Sequence, residues 1–166
     1  MIIGAGGSIG TFSIQLAKHF GANVTGVDST DKLDLMRALG ADRVIDYTTE
    51  DYTKNDEKYD LIIDVVGKRG VLQRLKLLKP GGDYFLAYAG LSHLFLKMWT
   101  STTSKKKLRI EASSQNKADL IFLKELLEAG KVRSIIDRSY PLEQAADAHR
   151  YAESGRKQGN VAITIP

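Results

Sequence analysis

The residues best suited to chemistry stand at the start of the chain, in the run Gly4-Ala5-Gly6-Gly7-Ser8-Ile9-Gly10. The strict G-x-G-x-x-G spelling is not met, because Ile stands at position 9; the fit is G-x-x-G-x-x-G through Gly4, Gly7 and Gly10. Glycines at such spacing permit a tight turn, let backbone approach a phosphate and let a helix pack closely on a strand. A helix opening at Ser8 would offer the unpaired N–H groups of Ser8 and Ile9, and a positive dipole end, to an anion. The chemistry implied is binding of a dinucleotide pyrophosphate; the other reading of the glycines is a purely structural turn. Asp28 lies 18 residues beyond Gly10, where a carboxylate accepts hydrogen bonds from the adenosine ribose hydroxyls. The same side chain could instead cap a helix that begins near Asp31.

The elements that must position these groups follow from the hydrophobic pattern. Short apolar runs alternate with amphipathic segments, which implies βαβ units and a parallel sheet. Strands are expected at residues 1–3, 23–27, 43–46, 59–66, 84–89 and 108–112, with helices at 8–20, 31–39, 71–78 and 117–129. The charged stretch 51–58 reads as loop or a frayed turn, and Lys79-Pro80-Gly81-Gly82 as a break. The expected fold is α/β: a Rossmann-type doubly wound parallel sheet of order 3-2-1-4-5-6 with the glycine turn at the carboxyl end of its central strand. A strand–helix–strand tail (134–140, 142–154, 160–165) should lie outside that sheet, dividing the chain into a dinucleotide-binding domain, 1–131, and a C-terminal segment, 132–166. The unpaired edge at 108–112 invites a homodimer contact.

Bulk properties narrow the alternatives. With 166 residues, 43% of them hydrophobic, the chain can bury a real core. No run approaches the ~20 apolar residues of a membrane helix, no signal peptide is visible, and there is no cysteine for disulfides or thiolate metal sites; a cytoplasmic protein is expected. The net charge of +4 is dispersed, apart from Lys105-Lys106-Lys107, so neither nucleic acid nor membrane is an expected partner. His19, His93 and His149 have no partners at metal-ligand spacing, and no metal site is expected. Ser8 lacks the G-x-S-x-G elbow of a hydrolase nucleophile.

Taken in order, the segments GAGGSIGTFSIQLAKHFGANVTGVDST, LGADRVIDYT, YDLIIDVVG, LKPGGDYF and IDRSYPLEQAADAHRYAESGRKQGNVAITI span nearly the whole chain. Together they resemble the medium-chain dehydrogenase/reductase superfamily, in its zinc-independent quinone oxidoreductase (zeta-crystallin-like) branch. The resemblance implies NAD(P)H-dependent hydride transfer to a quinone or activated alkene. It also implies roles residue by residue. Gly7, Ser8 and Ile9 would hold the pyrophosphate, while Ser29, Lys32 and Tyr47 would surround an adenosine 2′-phosphate. Val66 and Gly67 would line the nicotinamide ribose, Tyr88 would approach the nicotinamide, and Arg156 would contact the cofactor from the tail.

Members of that family carry a catalytic domain before the glycine turn, and this sequence has none, so residues 132–166 resemble the return segment of such a domain. Hydride transfer asks little of protein side chains, and no catalytic residue is assigned. Asp28 favours NADH, because a carboxylate repels a 2′-phosphate, whereas Ser29, Lys32 and Tyr47 favour NADPH; the expectation is NADPH over NADH. Two other functions fit the same residues: a cofactor-binding module without turnover, and a Rossmann-like methyltransferase.

Overall fold

The computed structural model describes residues 1–67, 70–87, 106–110 and 116–165. Its strands are β1 (Ile2–Ile3), β2 (Thr25–Asp28), β3 (Arg43–Asp46), β4 (Tyr59–Asp64), β5 (Leu78–Leu86) and β6 (Lys107–Arg109). They form one sheet of order β3-β2-β1-β4-β5-β6, and every adjacent pair is parallel. The expected order is thus found. The switch point lies at β1, where Ile3 is in register with Val27 on one side and Asp64 on the other.

The alternation of side chains along a strand divides the core between two faces. Ile2 joins Val24, Ile14 and Met36 under helices α1 (Ser8–His19) and α2 (Leu33–Ala38). Ile3 joins Val27, Ile45, Ile62 and Tyr84 on the other face, together with Val71 and Leu75 of helix α3 (Val71–Leu75). Near-continuous apolar strands are what a sheet covered on both sides requires.

Several boundaries differ from the sequence pattern, most of all at the fifth strand, expected at 84–89. Lys79-Pro80-Gly81-Gly82 does not break the chain but lies inside β5, beside a register shift between Tyr59 and Leu61. The buried pair Leu77 and Leu78 starts the strand early, and the Pro-Gly-Gly stretch is its bulge. Helix α3 accordingly ends at Leu75 rather than 78. Within the charged stretch 51–58 the expected turn is found as a short 3-10 turn, Tyr52–Lys54, opened by the buried Tyr52. The part of the sixth strand beyond Ile110 lies outside the described residues.

After helix α4 (Lys117–Glu128), capped by Asn116 through the Asp119 N–H, the tail forms β7 (Ile136–Pro141), α5 (Ala145–Glu153) and β8 (Asn160–Thr164). β7 and β8 lie outside the main sheet, as expected, and pair parallel in a sheet of their own. This ribbon is nevertheless anchored at the glycine turn. Gly159 donates its N–H to the Gly6 carbonyl at 2.9 Å and bridges Gly7. The Gln15 side chain pairs with both the N–H and the carbonyl of Arg133.

The glycines of the turn carry different burdens. Gly4 has φ +79, and a Cβ there would meet Val65 Cγ2 at 2.7 Å. At Gly10 a Cβ would strike the backbone of Ala5, 2.5 Å from its Cα. At Gly7 the nearest atom would be the Gly4 carbonyl oxygen at 3.5 Å, which is ordinary contact. Gly10→Ala is therefore expected to cost about 1–3 kcal/mol through overpacking, and Gly7→Ala within about 0.5 kcal/mol. Urea denaturation of the two variants measures the difference.

Candidate functional site

The glycine turn leaves β1 at the switch point and enters α1 with Gly7 as its N-cap, without any side chain capping the first turn. The Gly7 N–H goes to the Gly4 carbonyl at 3.2 Å, while the N–H groups of Ser8 and Ile9 have no side-chain cap, as an anion site requires. Beside the turn, Asp28 ends β2 and is buried. Its Oδ2 accepts the Gly6 N–H at 2.8 Å, and its Oδ1 accepts the Ser29 N–H at 2.9 Å. Asp28 does not cap the helix that follows; it braces the turn.

Lys32 is likewise buried. Its ammonium lies 3.3 Å from Asp28 Oδ1 and donates to the Gly155 carbonyl at 3.0 Å, while its methylenes cover Gly6 so closely that a Cβ there would meet them at 2.7 Å. The two side chains from which the opposing cofactor preferences were read are thus paired with each other.

A second carboxylate mirrors the first. Asp64 ends β4 with no exposed surface. Its Oδ1 accepts the N–H groups of Val66 and Gly67, both at 3.0 Å. Its Oδ2 accepts Arg74 Nη1 and the Tyr84 hydroxyl, both at 2.6 Å. Four donors satisfy the carboxylate and hold the turn that leaves β4. Burial, and then the charge of Asp64, push the Tyr84 phenol well above its ordinary range.

Between these two turns opens a cleft of about 1190 Å³, somewhat larger than the roughly 300–1,000 Å³ of ordinary small-molecule sites. Of the residues singled out from sequence, Gly4, Gly7, Ser8 and Ile9 line it from the glycine turn. Asp28, Lys32, Tyr47 and Val66 line it from the neighbouring strand ends. Gly10 is buried beneath the turn, and Ser29 spends its hydroxyl on Asp31. Gly67 and Arg156 do not line the cleft, and Arg156 is exposed. Tyr88 lies outside the described residues.

Sequence reasoning missed Lys157, which lines the cleft with Ser154 and Gly155. Its ammonium donates to Ser8 Oγ and, at 2.9 Å, to the Gly159 carbonyl. It also missed Arg74, for which the signal was Asp64, an acid following the apolar run Leu61-Ile62-Ile63.

Tyr84→Phe removes one donor from a buried carboxylate and should cost about 1–3 kcal/mol. It should also change the alkaline limb. A phenol held neutral in the fold stabilises it fully below its ordinary value of 10.0 and loses that contribution as the pH rises through its raised value. Tyr59, pushed up to about 12 by burial, acts in the same direction. Stability is therefore expected to decline above pH 10, less steeply in the Tyr84→Phe protein, as read from denaturation midpoints between pH 8 and about 11.

Comparison with known proteins gives a consistent picture. The zinc-binding dehydrogenase family model matches residues 39–163. The 2-methylene-furan-3-one reductase of Solanum lycopersicum is 35% identical over 167 residues, covering 98% of this chain and 39% of that protein. The NADPH-dependent alkenal/one oxidoreductase of Arabidopsis thaliana chloroplasts is 32% identical, with 98% and 39% covered. The solved quinone oxidoreductase of Coxiella burnetii superposes with a TM-score of 0.87 at 26% identity, covering 99% of this chain and 52% of that one. The chain thus spans between two fifths and about half of these relatives. Zinc, named in the family's description, finds no ligand set among the described residues, where no three His, Cys, Asp or Glu side chains are grouped to hold a metal ion. With three quarters of its length matched by the family model and the fold superposed throughout, the chain belongs to the zinc-binding dehydrogenase family of the medium-chain dehydrogenase/reductase superfamily and corresponds to the C-terminal part of its members.

Proposed function

We propose that this chain is the cofactor-holding part of an NAD(P)H-dependent oxidoreductase that transfers hydride to a quinone or an activated alkene. The observation that carries the reading is the glycine turn at the switch point, opening into the large cleft with a Cβ-free approach at Gly7. Its relatives' names, a furanone reductase and an alkenal/one oxidoreductase, support the substrate class.

In this reading the backbone of Gly7, Ser8 and Ile9 receives the pyrophosphate. The Gly7 N–H is already given to the Gly4 carbonyl at 3.2 Å, so the donors are the Ser8 and Ile9 N–H groups, where the α1 dipole also acts. The adenosine end lies toward Asp28, Lys32 and Tyr47, and the nicotinamide end toward Val66 and the turn held by Asp64. The cofactor supplies the hydride chemistry when bound; this chain's residues bind, orient and shield it. Residues 132–166 are read as the return segment of the catalytic domain that relatives carry.

We read NADPH as the preferred dinucleotide. The Asp28 carboxylate is turned inward to the Gly6 N–H and compensated by Lys32, so its repulsion of a 2′-phosphate is largely offset. A cytoplasmic setting and a homodimer through the β6 edge complete the reading; no helix among the described residues is long and apolar enough to cross a membrane.

The second reading, a cofactor-binding module without turnover, uses the same cleft and differs only in whether a substrate is reduced there. The methyltransferase alternative loses its support, because β7 pairs with β8 outside the main sheet and so cannot serve as that fold's antiparallel seventh strand.

The test is a fluorescence titration with NADPH and NADH in the same salt. Tighter binding of NADPH is expected, with Gly7→Val weakening both by about tenfold or more while the melting curve stays near that of the parent. Binding of neither dinucleotide would sink the reading, and NADH tighter by about tenfold would reverse the cofactor choice. Steady NADPH oxidation with a simple quinone is expected to be slow, since a productive substrate must be held about 3–3.5 Å from the nicotinamide in an oriented cleft. Turnover at ordinary enzyme rates would eliminate the module reading.

A further inference from the structure

Among the described residues lining the cleft, three carry a positive charge: Lys32, Arg74 and Lys157. Two of these charges are already spent. Lys32 is paired with Asp28, and Arg74 with Asp64, in buried contacts with side-chain exposures of 11% or less. Neither can turn to a ligand without leaving a buried carboxylate uncompensated, which is a costly state. Each cation thus serves the turn its carboxylate braces. The acidic residues of the opposite wall, Glu50 and Asp51, cannot offset an anion, and Asp51 is itself engaged with Lys54.

Lys157 is different. Both of its hydrogen-bond acceptors, Ser8 Oγ and the Gly159 carbonyl, are neutral. The carboxylate that acts on it from a distance, Asp137, already accepts the Tyr151 hydroxyl at 2.7 Å and the Gln158 N–H at 3.1 Å. The ammonium therefore stands at the mouth of the glycine turn, against the first residue of α1, in no ion pair with a carboxylate among the described residues. Burial and the nearby Lys32 both hold it below the ordinary lysine range, so an arriving anion would relieve it.

We propose that Lys157 is the counter-charge for the cofactor's pyrophosphate, so that the tail, rather than the Rossmann sheet, supplies the cation that makes the cleft selective for a dinucleotide. The inference rests on the dinucleotide reading above. It differs from the position-by-position resemblance, which pointed to Arg156, an exposed side chain that does not line the cleft. The pyrophosphate is common to both dinucleotides, whereas the 2′-phosphate belongs to NADPH alone, and that distinction sets the experiment.

Wild-type, Lys157→Met and Lys157→Arg proteins are titrated with NADH and with NADPH at low and high salt. The expected result is that Lys157→Met weakens both dinucleotides by a similar factor, about tenfold or more, as loss of a charge-assisted hydrogen bond implies. Lys157→Arg should recover most of that loss. The salt dependence of binding should flatten in Lys157→Met, because screening acts on the charge removed. Lys157→Gln, which keeps a donor for Ser8 and Gly159 but no charge, guards against a tail merely loosened by the methionine. It should bind as weakly as Lys157→Met if the charge is what matters, and near wild-type affinity for it would overturn the proposal. A loss confined to NADPH would overturn it in favour of a 2′-phosphate contact, and unchanged affinity for both would overturn it outright. If the wild-type chain bound neither dinucleotide, the failure would belong to the dinucleotide reading, a result seen before any variant is made.

Discussion

Two buried carboxylates govern this cleft. β2 and β4 flank the central strand and each ends in an aspartate, Asp28 and Asp64, at the point where the sheet's order reverses. A carboxylate in that position is expensive unless hydrogen-bonded and paired. Both are satisfied in the same way: by backbone N–H groups of an adjoining turn and by one cation from the following helical segment. The demand for satisfaction thus becomes a means of construction. Gly6 is drawn toward β2, the 65–67 turn is folded over the end of β4, and the space left between them is the cleft. The buried ion pairs are better understood as devices that specify two backbone turns than as sources of net stability.

Much of the fold was legible in the residues because it depends on local pattern. Apolar runs such as Tyr59–Asp64, separated by amphipathic segments and stopped by glycines, carry strand order and helix placement almost by themselves. The bulge in β5 was hidden because Pro80-Gly81-Gly82 has the composition of a turn, and only the burial of Leu77 and Leu78 shows that the strand has already begun. The glycine turn could be read because its spacing is local. The roles of Asp28 and Lys32 could be named but not resolved, since whether two opposite charges oppose each other or join is decided by rotamers.

The tail was the least legible part. Lys157 has no signal of its own; it adjoins Arg156 in a polar stretch, and nothing in the spelling says which of the two turns inward. The answer comes from contacts across 149 residues, Lys157 to Ser8, and from the ladder-like bridge between Gly7 and Gly159. A strand–helix–strand tail with its own small sheet reads as an appendage, yet its hydrogen bonds to Gly6, Ser8 and Asp31 make it one wall of the site.

That arrangement has a consequence for how the protein comes into being. The Ser8 hydroxyl and the Gly159 carbonyl are 151 residues apart in the chain, so the cleft is closed across a long loop. The entropy of such a closure grows only slowly with loop length, but contacts of this range are made late, after local ones have shortened the search. The sheet can thus form before the tail closes over the glycine turn. A mutation in the tail can therefore abolish a binding site formed largely by the glycine turn while leaving the sheet intact. Such a protein would be folded by every spectroscopic measure and blind to its ligand.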